Sequence, residues 1–227
     1  MRHSSSTALF IGAVATAVAV AWPPAGLQSQ DLLSVDRLAP VDVRLETTRY
    51  LDRDAVRLIE MREREGGLAI VKDLAFTDGS IEVDVAGKRG PGAVPDDRGF
   101  IGLAFRVRPG GTEFECIYLR PDNGRAADQV RRNHSTQYIA YPDFEFARLR
   151  RESPERYESY VDLEYGAWTR MRIDVSGRTA RLFVHDASQP ALVVNDLKLG
   201  TEGGSVALWI GAGTDGYFSN LRIRQAR

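Results

Sequence analysis

Apolar side chains recur at every second residue in this chain, and that period decides what it can become. Between Phe76 and Arg108, Ile81, Val83 and Val85 alternate with Glu82, Asp84 and Ala86. After an interruption rich in Gly, Pro and Asp, from Gly87 to Gly99, Ile101, Leu103, Phe105 and Val107 alternate with Gly102, Ala104 and Arg106. Alternation of this kind buries one face of a strand and leaves the other to polar groups, whereas a helix would repeat every three or four residues. The pattern continues in Glu113 to Arg120, which stops at Pro121 because proline donates nothing to a strand ladder. It returns in Thr169, Met171, Ile173 and Val175, followed by the tight turn S-G-R-T and then Ala180, Leu182 and Val184, a β-hairpin. Val43 to Tyr50, Ala55 to Ile59 and Leu68 to Val71 read as opening strands. Leu192 to Asn195, Val206 to Ile210 and Tyr217 to Arg224 read as closing ones. Beyond the N-terminus no helix-period segment of useful length exists; A-R-L-R-R-E-S is expected to hold one helical turn. The expectation is an all-β sandwich of antiparallel strands.

The 227 residues, 43% hydrophobic and 27% charged, suit one large β-domain. Thirty basic and thirty-one acidic residues leave a net charge of −1, which provides no broad positive field for a nucleic-acid backbone, so no nucleic-acid partner is expected. Arg2 and His3 precede an apolar run from Ala8 to Trp22 that is shorter than the roughly 20 residues a spanning helix needs. Small residues suited to cleavage follow. This reads as a signal peptide over residues 1–29, with the β-domain over 30–227, a secreted or periplasmic location and no membrane attachment after cleavage. Cys116 is the single cysteine and is expected to pack as a small hydrophobe.

Taken in order, D-G-S-I-E-V-D-V, G-F-I-G-L-A-F-R-V, I-Y-L-R-P-D-N-G, G-A-W-T-R-M-R-I-D-V-S-G, A-R-L-F-V and G-Y-F-S-N-L-R-I resemble the concanavalin A-like lectin/glucanase superfamily over about Asp42 to Arg224. Within it the chain is similar to exported bacterial domains grouped with laminin-G-like modules, family 16 glycoside hydrolases and 3-keto-disaccharide hydrolases. The resemblance implies a concanavalin A-like jelly roll of two curved antiparallel sheets, a concave face and a carbohydrate or glycan partner. It leaves open a carbohydrate-binding domain without catalysis, a glycoside or 3-keto-glycoside hydrolase, and a laminin-G-like protein-interaction module, because fold does not dictate function.

Two groups of residues carry candidate chemistry. Family 16 hydrolases place E-x-D-x-E or E-x-D-x-x-E on one strand, since retaining hydrolysis needs carboxyl groups about 5 to 5.5 Å apart. Here Glu82 and Asp84 match, but the last acid falls on Ala86, or on Gly87 if a bulge is allowed. The second group lies along the long loop Arg120 to Tyr138 and its preceding strand: Tyr118, Arg120, Asp122, Asn123, Gln129, Arg132, Asn133, His134, Gln137 and Tyr138, with Arg106 on the neighbouring strand. Planar hydrogen-bonding groups beside aromatic faces suit a sugar, and the same groups equally serve to pin a long loop. A second excursion, Pro142 to Tyr160, is rich in Arg, Glu, Tyr and Phe. No His or Cys spacing suits zinc, and no cofactor is expected. Asp96, Asp97 and Asp215 are acidic enough for a structural calcium, though they lack a regular ligand spacing. Trp168 and Trp209 fall within strands and read as core.

Overall fold

A computed structural model describes residues 28–29, 34–61 and 66–226. The expected signal peptide and the loop around Arg62 therefore fall largely outside the described residues. Fifteen strands are present among them. In chain order these are β1 (Gln28–Ser29), β2 (Leu38–Val41), β3 (Val43–Tyr50), β4 (Arg53–Glu60), β5 (Gly67–Val71), β6 (Gly79–Arg89), β7 (Ile101–Val107) and β8 (Phe114–Leu119). After them come β9 (Thr136–Tyr141), β10 (Glu158–Ser159), β11 (Thr169–Ser176), β12 (Thr179–Val184), β13 (Leu192–Val194), β14 (Ser205–Ile210) and β15 (Thr214–Gln225). Three short helices interrupt the two long excursions: α1 (Pro121–Gly124), α2 (Gln129–Asn133) and α3 (Phe146–Glu152).

The strands form two antiparallel sheets. One has eight strands in the order β13, β12, β11, β6, β15, β4, β3, with β1 added beside β15. The other has seven, β10, β9, β8, β7, β14, β5, β2. β6 and β7, consecutive in sequence, thus lie in different sheets, and the Gly/Pro-rich segment between them crosses from one layer to the other. The alternation of each strand explains the arrangement. Ile81, Val83, Val85, Leu58, Ile173 and Phe218 point inward from the first sheet; Ile101, Leu103, Phe105, Ile117 and Leu208 meet them from the second, and all are essentially inaccessible to solvent. A side chain on Gly216 would lie 2.5 Å from Ile210, so the layers touch there. Each such apolar side chain contributes about 1.5 to 3 kcal/mol on burial.

Outward-facing residues are then fixed by register. On the eight-stranded sheet they include Glu82, Asp84, Arg170, Arg57 and Tyr217; on the seven-stranded sheet, Tyr118, Gly102 and Trp209 stand side by side. Cys116 shares that second face and is fully buried. The S-G-R-T hairpin forms as the sequence proposes, with Ser176 opposite Thr179 and Gly177 at φ 54°.

Candidate functional site

β8 ends where Pro121 begins α1, and the last side chains before that break, Tyr118 and Arg120, point outward from the seven-stranded sheet. Arg120 is almost fully buried and sits at the centre of a polar knot. It donates to Glu158 at 2.8 Å, to Gln137 Oε1 at 2.8 Å, to the Tyr118 hydroxyl at 3.1 Å and to the His134 carbonyl at 3.1 Å. Glu158, on the two-residue β10, accepts Arg150 Nε at 3.0 Å and a second, shorter bond from the same guanidinium, while His134 Nε2 lies 3.8 Å away. Burial alone would raise the Glu158 carboxyl, but the bonds from Arg150 and Arg120 outweigh it and hold the group below its ordinary range. Burial pushes the His134 imidazole below its ordinary value, more than Glu158 lifts it.

Aromatic rings surround this knot. The Tyr118 ring lies 4.7 Å from Trp209 and 5.8 Å from Phe100, and Arg120 packs against Phe100, Tyr118 and Phe146. Two glycines make the strip possible. A Cβ on Gly102 would lie 2.6 Å from that of Tyr118, and one on Gly211 would lie 2.8 Å from that of Phe100 and 3.0 Å from the Trp209 ring. Phe100 and Trp209 are half-buried, and Phe146, on α3, is 46% exposed beside the partly exposed Arg150. The outcome is a ring-lined strip with guanidinium and imidazole groups at one border. Such a strip can stack on the C–H face of a sugar while the polar border takes its hydroxyls.

The structure sorts the sequence candidates into separate places. Tyr118, Arg120, Asn123, His134 and Gln137 meet in the knot, Asn123 donating to the His134 carbonyl at 2.9 Å. Asp122 turns away to a cleft of about 520 Å3 lined by Arg89, Arg125, Arg131, Glu164 and Tyr165, and accepts Arg89 at 2.7 Å. Gln129 bonds Asn133 along α2, exposed, and Arg132 packs on the exposed Tyr160. Tyr138 is a correction: it follows Gln137 by one residue, so the strand alternation turns it into the interior. There its hydroxyl donates to Glu115 and accepts from the Lys198 backbone N–H at 2.9 Å.

Arg106 is another correction. It is 3% exposed, at φ 52°, and binds the carbonyls of Thr77, Gly200 and Gly177 and the Asp78 carboxylate, which makes it a clamp on three loops.

Glu82 and Asp84 lie on the outward face of the other sheet. Asp84 accepts Arg53, Arg170 and Asn220, the last brought in by an irregularity in β15 where Asn220 takes φ 56°. The third acid has no place beside them, because Ala86 is buried against Ala55 and Tyr217, and a Cβ on Gly87 would strike the Gly99 carbonyl at 2.3 Å. Asp96 pairs with Arg98, Asp97 accepts the Val94 N–H and Asp215 holds Arg57; among the described residues no three acidic, His or Cys side chains converge on a metal position. Glu158, Arg150, Phe146 and Phe100 belong to the strip without having been singled out from the sequence. The richness of the second excursion in Arg, Glu and Phe was the one signal for the first three; Phe100 lies outside it, just before β7.

Two facing antiparallel sheets in this strand order decide the architecture. The chain has the fold of the concanavalin A-like lectins and glucanases. Within this concanavalin A-like fold, the carbohydrate-binding module CBM66 of Bacillus subtilis is similar at 12% identity, over 82% of this chain and 93% of that one, with a TM-score of 0.58. A Bacillus subtilis protein of unknown function with a galectin-like fold is 12% identical over 88% and 98% of the two chains, with a TM-score of 0.52. A provisionally assigned glycosyl hydrolase of Parabacteroides distasonis is 12% identical over 83% and 99%, at 0.50. No family model and no curated protein matches the sequence.

Proposed function

We propose that this concanavalin A-like domain binds a saccharide on the outward face of its seven-stranded sheet and does so without hydrolysing it, as an exported protein. The observation that carries the reading is the strip itself: the half-buried Trp209 and Phe100 either side of the buried Tyr118 ring, Phe146 exposed on α3, and Arg150 and His134 beside them. Likeness to a carbohydrate-binding module supports it. Glycoside hydrolysis by the family 16 route needs the third acid of the E-x-D-x-E strand beside Glu82 and Asp84, and neither Ala86 nor Gly87 has one to offer. The basic residues before the Ala8 to Trp22 run support export.

A glycan array identifies the sugar, and Phe146→Ala and Trp209→Ala are then titrated against it. Each variant is expected to weaken binding by about fivefold to tenfold, the equivalent of one ring contact. Wild-type binding to no glycan, or unchanged affinity in both variants, would overturn the reading.

A further inference from the structure

The carboxylates of β6 serve a different purpose on the opposite face of the molecule. Asp84 holds both Arg53, at 2.7 Å, and Arg170, at 2.8 Å. Asp215 holds both Arg57, at 2.6 Å, and Lys88, at 3.8 Å, while Glu82 lies 3.4 Å from Arg224. With Glu46, 3.2 Å from Arg57, four carboxylates anchor these five cations. Arg172, Arg181 and Arg222 stand on outward positions of the same strands, Arg181 and Arg222 exposed, with Asp174 3.3 Å from Arg172. In a chain of net charge −1 this is a local concentration of positive charge.

Rings hold the cations in position as well. Tyr50 stacks on Tyr217 at 3.9 Å and meets Trp168 edge-on at 5.8 Å. Lys88 Nζ lies 5.0 Å and 5.3 Å from the two tyrosine rings, Arg53 lies 5.4 Å from Trp168, and Arg172 lies 4.0 Å from Phe183. Cations fixed in this way have already lost much of their side-chain entropy, so an anion that meets them gives up less on binding. The sheet spaces them by about 4.8 Å between strands and about 7 Å between alternate residues, a flat array rather than a pocket.

We propose that this outward face of the eight-stranded sheet binds an anionic polysaccharide, one carrying carboxylate or sulfate groups along its length. The ring faces are occupied by Lys88 and Arg53, which leaves no stacking platform for nucleic-acid bases. Trp168, just before β11, donates its indole N–H to the Tyr50 carbonyl at 3.2 Å and is partly buried, and on these strands the one exposed large apolar side chain is Val193, at the edge. A bilayer would need more than that to enter. The site is independent of the ring-lined strip on the other sheet.

The test uses the full chain against polygalacturonate and dextran sulfate, with neutral dextran as reference. Both polyanions are expected to bind at low salt and dextran not to. The triple variant Arg172→Glu/Arg181→Glu/Arg222→Glu changes only surface side chains, and circular dichroism checks that it folds. It is expected to bind at least tenfold more weakly, with a salt dependence reduced by about two to three charges. Phe146→Ala should leave polyanion binding untouched. Failure to bind either polyanion, equal binding of dextran, or an unaltered triple variant would overturn the proposal. So would tighter binding of single-stranded DNA or phosphatidylserine vesicles through the same arginines.

Discussion

Asp84, which looks catalytic in sequence, and Glu158, which the sequence did not single out, are both carboxylates held in place by arginines. Burial would raise both carboxyls, yet Arg170 and Asn220 on one, and Arg150 and Arg120 on the other, keep them below the ordinary range. A depressed folded-state pKa means that the stability each group adds is complete above the unfolded value of about 4 and is lost as pH falls through the folded one. The melting temperature is therefore expected to fall steeply on acidification below pH 4. Asp84→Asn should lower stability at pH 7 and flatten that acid limb; an equally steep limb in the variant would show that Asp84 carries none of it. Tyr138 and Gln137 make the complementary point: adjacent polar residues, equally attractive in sequence, are sent to opposite faces by the two-residue period.

Among the elements, the strip depends on places where a side chain is missing. Gly211→Ala would put a Cβ 2.8 Å from that of Phe100 and 3.0 Å from the Trp209 ring, so those rings must move. Overpacking of this kind costs about 1 to 3 kcal/mol. The variant is expected to melt lower, to shift tryptophan fluorescence and to bind its saccharide less well; unchanged fluorescence with full binding would show that the rings do not need this glycine. β10 is a second such element. Two residues would not hold as a strand on backbone bonds alone, and Glu158 secures it by bonding Arg120, between β8 and α1, and Arg150 from α3. Neither glycine nor a two-residue strand leaves a pattern in the chain. The alternating strands around them were legible because each repeats the same period several times.

For the whole molecule, the layering puts the two sets of candidate residues on opposite outer faces. Glu82 and Asp84 lie on one sheet, Arg120 and His134 on the other, with the full hydrophobic core between them. Glu82→Gln is accordingly expected to leave saccharide affinity within error of wild type, measured by titration on the array-selected glycan. A loss of several fold would mean that the two faces act on one ligand.

By itself the sequence determined most of the strands and their inward sides, though not β1, β2 or β10, together with the hairpin at Gly177 and the two long excursions, because period and turn chemistry are local properties of neighbouring residues. Only the tertiary structure decided which sheet each strand joins, and hence that Arg120 meets Glu158, 38 residues away, that Arg106 clamps loops instead of facing a ligand, and that Gly87 excludes a third acid. Those outcomes depend on strand order and on which backbones come within contact distance, and neither is written in the spacing of residues along one strand.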